Sequence, residues 1–157
     1  MTAEIRKADD YILYIEDCKE DIEAMERAMN SSSYSIRLQC CTSFDEAKEY
    51  ILNLQDSSLQ LPIPKVIFLD LRLHGLSTIS LLEMIKSTPS LMAIPVLILS
   101  GSEQDSDLVK CCSHAATAYI KKPFQLSSLK FKVHTTLDFW LNVAHLPGHW
   151  ITGIKKI

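Results

Sequence analysis

Three carboxylates, a hydroxyl and an ammonium stand directly after apolar runs in this chain. Glu16 and Asp17 follow Tyr11-Ile12-Leu13-Tyr14-Ile15, and Asp70 follows Val66-Ile67-Phe68-Leu69. Ser100 follows Pro95-Val96-Leu97-Ile98-Leu99, and Lys122 follows Ala118-Tyr119-Ile120 and Lys121. Clustered carboxylates repel one another and hold protons at neutral pH unless a cation neutralises them. Oxygen-only ligands suit a hard divalent ion that keeps part of its water, Mg²⁺ above all. With an ammonium and a hydroxyl nearby, such a set would complement the oxygens of a phosphoryl group. The chemistry it could do is acceptance of that group on a carboxylate, as an acyl phosphate. Singly, each residue has a plainer reading: a solvated acidic turn, a helix cap at Asp70, a Ser100-Gly101 turn, a surface lysine. Their joint placement at four strand ends is what points to chemistry.

That placement requires strands and helices in alternation. Tyr11–Ile15 reads as a buried strand, and Ile22, Met25, Ala28 and Met29 then recur at helical spacing until Asn30-Ser31-Ser32-Ser33. Ser35 to Cys40 is a second strand. Ser43-Phe44-Asp45-Glu46 is a capping box opening a helix to about Leu54. Val66–Leu69 and Pro95–Leu99 are apolar at nearly every position, as strands buried on both faces are. Leu81, Leu82 and Ile85 mark a third helix, and Ser102 can cap a fourth from about Glu103 to Ser113. After Ala118–Ile120, a last helix carries Leu126, Leu129, Val133, Leu137, Trp140 and Leu141 along one face. The pattern predicts an α/β fold: a five-stranded parallel sheet, doubly wound, with an extended C-terminal helix. In such a sheet, ligands bind outside the carboxyl ends of the strands, where the five polar residues fall. Asp9-Asp10, at the opposite end of the first strand, reads as solvated.

A chain of 157 residues is one domain on length, and we place it at 10–142, between a leader at 1–9 and a tail at 143–157. The net charge of −3 excludes a general electrostatic grip on nucleic acid or an anionic membrane. No apolar run spans a bilayer and the N-terminus lacks a signal-peptide core, so a cytoplasmic setting is expected. Five cysteines without Cys-x-x-Cys spacing read as reduced, small apolar residues. The tail is too short for a helix-turn-helix output domain. Phe131 and Phe139 lie off the main stripe of the last helix; with Trp140 and Trp150 they suggest a homodimer through that helix and the tail.

The motifs together resemble the receiver domains of two-component signalling. Ile12-Leu13-Tyr14-Ile15-Glu16-Asp17 is similar to the opening strand with its acidic pair, and Val66–Leu71 to the strand carrying the phosphoacceptor. Val96–Gly101 resembles the switch strand, and Ala118–Phe124 the closing Lys-Pro-Phe segment. The intervals of 30 residues from Asp70 to Ser100 and 22 from there to Lys122 fit the family. The resemblance implies a flavodoxin-like strand order, 2-1-3-4-5. It implies Mg²⁺ held by Glu16, Asp17, Asp70 and the backbone carbonyl of Arg72. Asp70 would take the phosphoryl group from a sensor histidine kinase, Ser100 would turn to it, Tyr119 would change rotamer, and Lys122 would pair with it. The neighbouring Lys121 is the rival ammonium; the family places its lysine directly before proline, which favours Lys122. Lys122-Pro123 would be a cis bond.

Two positions depart from the family pattern: His74 stands where proline is usual and Thr78 where glycine is. The Pro62–Pro64 loop, Ile94-Pro95, Phe139-Trp140-Leu141 and Leu146-Pro147 resemble the stand-alone response regulators of cyanobacterial phytochromes. The resemblance implies a phosphorylation-dependent switch acting through protein partners, not an enzyme. A pseudo-receiver, folded alike but acting as a constitutive binding module, is the alternative. A phosphatase or phosphomutase would need a general acid two residues after Asp70, where Arg72 stands. No Gly-rich phosphate loop is present.

Overall fold

The computed structural model describes residues 10–101 and 104–145. The strands in chain order are β1 (Tyr11–Ile15), β2 (Arg37–Cys41), β3 (Val66–Leu69), β4 (Arg72–Leu73), β5 (Leu76–Ser77), β6 (Val96–Ser100) and β7 (Ala118–Lys121). The helices are α1 (Lys19–Asn30), α2 (Phe44–Gln55), α3 (Ile79–Ser87), α4 (Asp105–Ser113) and α5 (Leu126–Asp138). Five strands form one parallel sheet in the order β2-β1-β3-β6-β7, the expected flavodoxin-like topology. The remaining two, β4 and β5, pair as a small antiparallel hairpin that the sequence pattern did not foresee.

Period-two side-chain geometry explains why the central strands are apolar throughout. Tyr11, Leu13 and Ile15 of β1, with Ile67, Leu69, Val96 and Ile98, pack under α2 and α3. Ile12 and Tyr14, with Val66, Phe68, Leu97 and Leu99, pack under α1 and α5 on the other face. Each fully buried Val, Leu, Ile or Phe contributes about 1.5–3 kcal/mol. These two layers therefore fix the register that delivers the strand ends to one rim. β2, at the edge, is less buried, and its ladder begins at Arg37 opposite Tyr11, two residues later than expected.

The cap expected at the start of α2 is present. Ser43 Oγ accepts from Glu46 N at 3.1 Å, while the Glu46 carboxylate accepts from Thr42 N, one residue further back than a standard capping box. Leu129, Val133 and Leu137 of α5 are buried, with Trp140 and Leu141 packed beside them. The helix continues as a π-helical turn, Phe139–Val143. Tyr34 Oη donates to Asp138 Oδ1 at 2.5 Å and Asn142 Nδ2 donates to the same oxygen at 3.0 Å, tying this extension to the approach of β2. Among the described residues no helix is long and apolar enough to cross a membrane. The leader at 1–9, the Ser102 cap with Glu103, and Trp150 lie outside the described residues.

Candidate functional site

The ladder hydrogen bonds run past the regular strand pairs and set the site. Glu16 N donates to the Cys41 carbonyl and Asp70 N to the Ile15 carbonyl, both at 3.0 Å; Lys122 N donates to the Ser100 carbonyl at 2.8 Å. The carboxyl ends of β1, β3, β6 and β7 thus share one rim. Of the two adjacent lysines, Lys122 is the one whose ammonium reaches across it. Lys122 Nζ donates to Asp70 Oδ2 at 2.6 Å, to Asp21 Oδ2 at 2.8 Å and to Glu16 Oε2. The Lys122 side chain is 16% exposed, so its pairs with Asp70 and Glu16 are shielded from water on most sides.

Glu16 is 1% exposed, and its carboxylate also accepts from Tyr14 Oη at 3.1 Å and Cys18 N at 3.0 Å. Burial pushes Glu16 up to about 7; the Lys122 hydrogen bond opposes that and the Asp70 charge adds to it. Burial works against the Lys122 ammonium, but its bonds to Asp21, Asp70 and Glu16 prevail and hold it above the usual lysine value. Asp70 is nearly buried, and its Oδ1 accepts from Arg72 N at 3.0 Å. One of its oxygens is therefore pinned by backbone and the other faces an ammonium. Ser100 is buried at the end of β6 and Tyr119 is half-buried against the core under α2 and α3.

Asp17 goes elsewhere. Its Oδ2 accepts from His74 N at 2.7 Å and lies 3.2 Å from His74 Nδ1. Partial burial would raise the Asp17 carboxyl, but the His74 backbone bond, further hydrogen bonds and the nearby His74 charge together outweigh it and hold it below the usual carboxylate range. Among the described residues no three His, Cys, Asp or Glu side chains gather to hold a metal ion. The donor chemistry nonetheless fits a hard cation, because the rim sets the carboxylates of Glu16, Asp21 and Asp70 against the Lys122 ammonium and buries Glu16 among them. Asp21 is the member of this group that sequence reading missed. Its signal was available: a carboxylate in the first turn of α1, directly after β1, has to lie near the same rim.

The Lys122-Pro123 bond, expected to be cis, is trans: among the described residues no peptide bond is cis. The trans isomer of an X-Pro bond is favoured by about 0.5–1 kcal/mol. With it the Lys122 ammonium still reaches all three carboxylates.

The profile of the response regulator receiver domain matches residues 12–134. The chain belongs to the response regulator receiver family. It is 30% identical over 137 residues to the probable methanogenesis regulatory protein FilR2 of Methanothrix harundinacea, covering 87% of each chain. It is 29% identical over 137 residues to response regulator Rcp1 of Synechocystis sp., covering 87% of this chain and 92% of that one. Among solved structures, the phosphorylated cyanobacterial phytochrome response regulator RcpA superposes with a TM-score of 0.78 at 31% identity, over 88% of this chain and 98% of that one. The Mn²⁺-bound form of Rcp1 superposes at 0.74 with 28% identity, over 87% and 98%.

Within this receiver, both departures from the family pattern acquire physical reasons. His74 and Gly75 take positive φ, 48° and 81°, at the turn between β4 and β5. A two-residue hairpin of type I′ needs positive φ at both central positions. Proline, fixed near −65°, cannot occupy the first, and it would remove the N–H that holds Asp17. Arg72, on the same hairpin, extends to within 3.9 Å of Asp107 on α4.

Thr78 is fully buried, and its hydroxyl donates to the Asp70 carbonyl at 2.5 Å. Its backbone N–H donates to Leu71 O at 3.0 Å, so Thr78 pins the turn that follows the acidic strand end. Thr78→Val keeps the shape and removes the donor. It is expected to cost about 1–3 kcal/mol, the cost of leaving a buried carbonyl short of a partner. Thr78→Ser, which keeps the hydroxyl, is expected to cost less. Denaturant midpoints of the two variants against the parent chain check this, and equal losses would remove the hydroxyl from the account.

Phe131 and Phe139 are exposed on α5 and its extension, whereas Trp140 packs against the core and meets the Phe139 ring edge-on at 4.9 Å.

Proposed function

We propose that this receiver accepts a phosphoryl group on Asp70 from a sensor histidine kinase and signals through a change in its protein contacts. The observation that carries the reading is the Lys122 ammonium, 2.6 Å from Asp70 Oδ2 at a rim shared with the end of β6. Asp70 Oδ1 is held by Arg72 N, which leaves Oδ2 as the attacking oxygen. The bond from Oδ2 to phosphorus forms as the bond from phosphorus to the donor's imidazole nitrogen breaks, and the nitrogen keeps the electron pair. Lys122 then follows the charge onto the phosphoryl oxygens, leaving its bond to the carboxylate. Ser100 would supply a hydroxyl from β6, and Tyr119, on the adjoining strand, would repack with it.

Glu16, Asp17, Asp70 and the Arg72 carbonyl would hold Mg²⁺. When bound, the ion supplies positive charge that offsets repulsion between the acidic rim and an anionic phosphoryl group. Asp17 would have to leave His74 to join that set. The likeness to the cyanobacterial phytochrome response regulator RcpA supports a phytochrome-type kinase as partner. The exposed Phe131 and Phe139 support pairing of two copies through α5 and its extension.

The test is intact-mass measurement after incubation with acetyl phosphate and Mg²⁺. We expect a gain of one phosphoryl group that hydroxylamine removes, as an acyl phosphate requires. A chain that gains no mass would favour the alternative, a constitutive binding module.

A further inference from the structure

One carboxylate of the rim has no part in the chemistry above. Asp21 projects from the first turn of α1, and its Oδ2 accepts from Lys122 Nζ at 2.8 Å. Unlike Glu16 and Asp70, it is open to solvent, with 42% of its side chain exposed. It lines a cavity of about 240 Å³ between α1 and the link from β7 to α5, along with Lys122, Pro123, Phe124 and Tyr14. Asp70 does not line this cavity, but its Oδ2 and Asp21 Oδ2 share the Lys122 ammonium at 2.6 and 2.8 Å, which sets the Asp21 charge beside the oxygen that attacks.

We propose that Asp21 determines phosphodonor specificity: its fixed negative charge, held at the mouth by Lys122, favours donors whose leaving atom is cationic and disfavours anionic ones. The inference rests on the reading of Asp70 as the acceptor. In every case the bond between Asp70 Oδ2 and phosphorus forms. With acetyl phosphate a phosphorus–oxygen bond breaks, and its electron pair leaves on acetate, which gathers negative charge facing Asp21. With phosphoramidate, or with a phosphorylated imidazole protonated on its ring, the breaking bond is phosphorus–nitrogen. That nitrogen group carries positive charge until it takes the electron pair. Repulsion in the first case and attraction in the second act on the same transfer in opposite directions.

Lys122 matters to this in a second way. Its ammonium has three acidic partners in the resting chain, and only Asp21 stands on the solvent side. The contact fixes where the Asp21 charge sits. The neighbouring Glu20 lines the same cavity without contacting Lys122 and serves as the comparison.

The experiment measures phosphorylation rates of the full chain with Mg²⁺ and two donors, acetyl phosphate and phosphoramidate. Asp21→Asn is expected to raise the acetyl phosphate rate about 5-fold at low salt, with the phosphoramidate rate unchanged or lower. The gain is expected to shrink as added salt screens the exposed charge. Asp21→Glu is expected to restore the parent's donor ratio, and Glu20→Gln to leave it unaltered. Equal acceleration with both donors, or an equal shift in ratio from Glu20→Gln, would overturn the role of Asp21. A parent chain phosphorylated by neither donor would instead overturn the assignment of Asp70.

Discussion

In an Asp70→Asn chain, phosphoryl uptake from acetyl phosphate and Mg²⁺ is expected to fall below detection while the fold persists. The amide oxygen can still accept from Arg72 N, so the turn after β3 keeps its backbone anchor. What is lost is the nucleophile, because a neutral amide oxygen does not form an acyl phosphate. Three other carboxylates lie close enough to be rivals. Glu16 is 1% exposed and bound by Tyr14, Cys18 and Lys122, so no donor reaches it. Asp17 is committed to the His74 backbone.

Asp21 is the serious competitor, being exposed and paired with the same ammonium. It stands on α1, however, whereas Ser100 ends β6, which pairs with β3. Asp70 directly follows β3, the strand paired with β6, and its Oδ2 meets the Lys122 ammonium. Intact mass measures uptake, and far-ultraviolet circular dichroism shows whether the chain has folded. Retained phosphate in a folded Asp70→Asn chain would move the acceptor to another carboxylate, Asp21 first.

The parts of this site that are legible in sequence are those that strand periodicity dictates. Val66–Leu69 and Val96–Leu99 are buried on both faces, so their apolar runs announce both the strand and the residue that ends it. Asp70 and Ser100 are readable for that reason, and Lys122 follows from its place one residue beyond β7. The hairpin is not readable this way, since two-residue strands are too short to show a period. Its only mark is His74-Gly75, and Asn-Gly or Asp-Gly would have been a clearer one. Asp17 was read with Asp70, yet a backbone N–H on that unforeseen hairpin takes it. The peptide isomer at Lys122-Pro123 is not legible in the sequence, because less than about 1 kcal/mol separates the two forms. Asp21 depends on how far a lysine side chain reaches back across the rim, which spacing along the chain does not encode.

Replacing Lys122 with methionine is expected to destabilise the chain by about 3 kcal/mol near neutral pH. Methionine keeps most of the packing volume and removes the charge, which isolates the electrostatic part. Removing one partner of a buried ion pair leaves the other charge uncompensated, at a typical cost of about 3–5 kcal/mol. The lower end applies, because Asp21 is open to water and Glu16 can take a proton instead of staying charged.

The sign of the pH dependence follows from Glu16. Its folded value of about 7 lies above the ordinary 4.5, so between those values the folded chain holds a proton that the unfolded chain releases. Stability from this group is complete below the ordinary value and is lost as pH rises through about 7. Without Lys122 the opposing hydrogen bond is gone and Glu16 titrates higher still. The variant therefore keeps losing stability at pH values where the parent has levelled off. Denaturant unfolding is expected to show the smallest gap near about pH 5 and the largest near about pH 8. Mg²⁺ is expected to narrow it by supplying positive charge to the same oxygens, in proportion to its occupancy of the folded chain. A gap that stays constant with pH and is indifferent to Mg²⁺ would mean that Lys122 contributes packing, and that the acidic rim is not under electrostatic load.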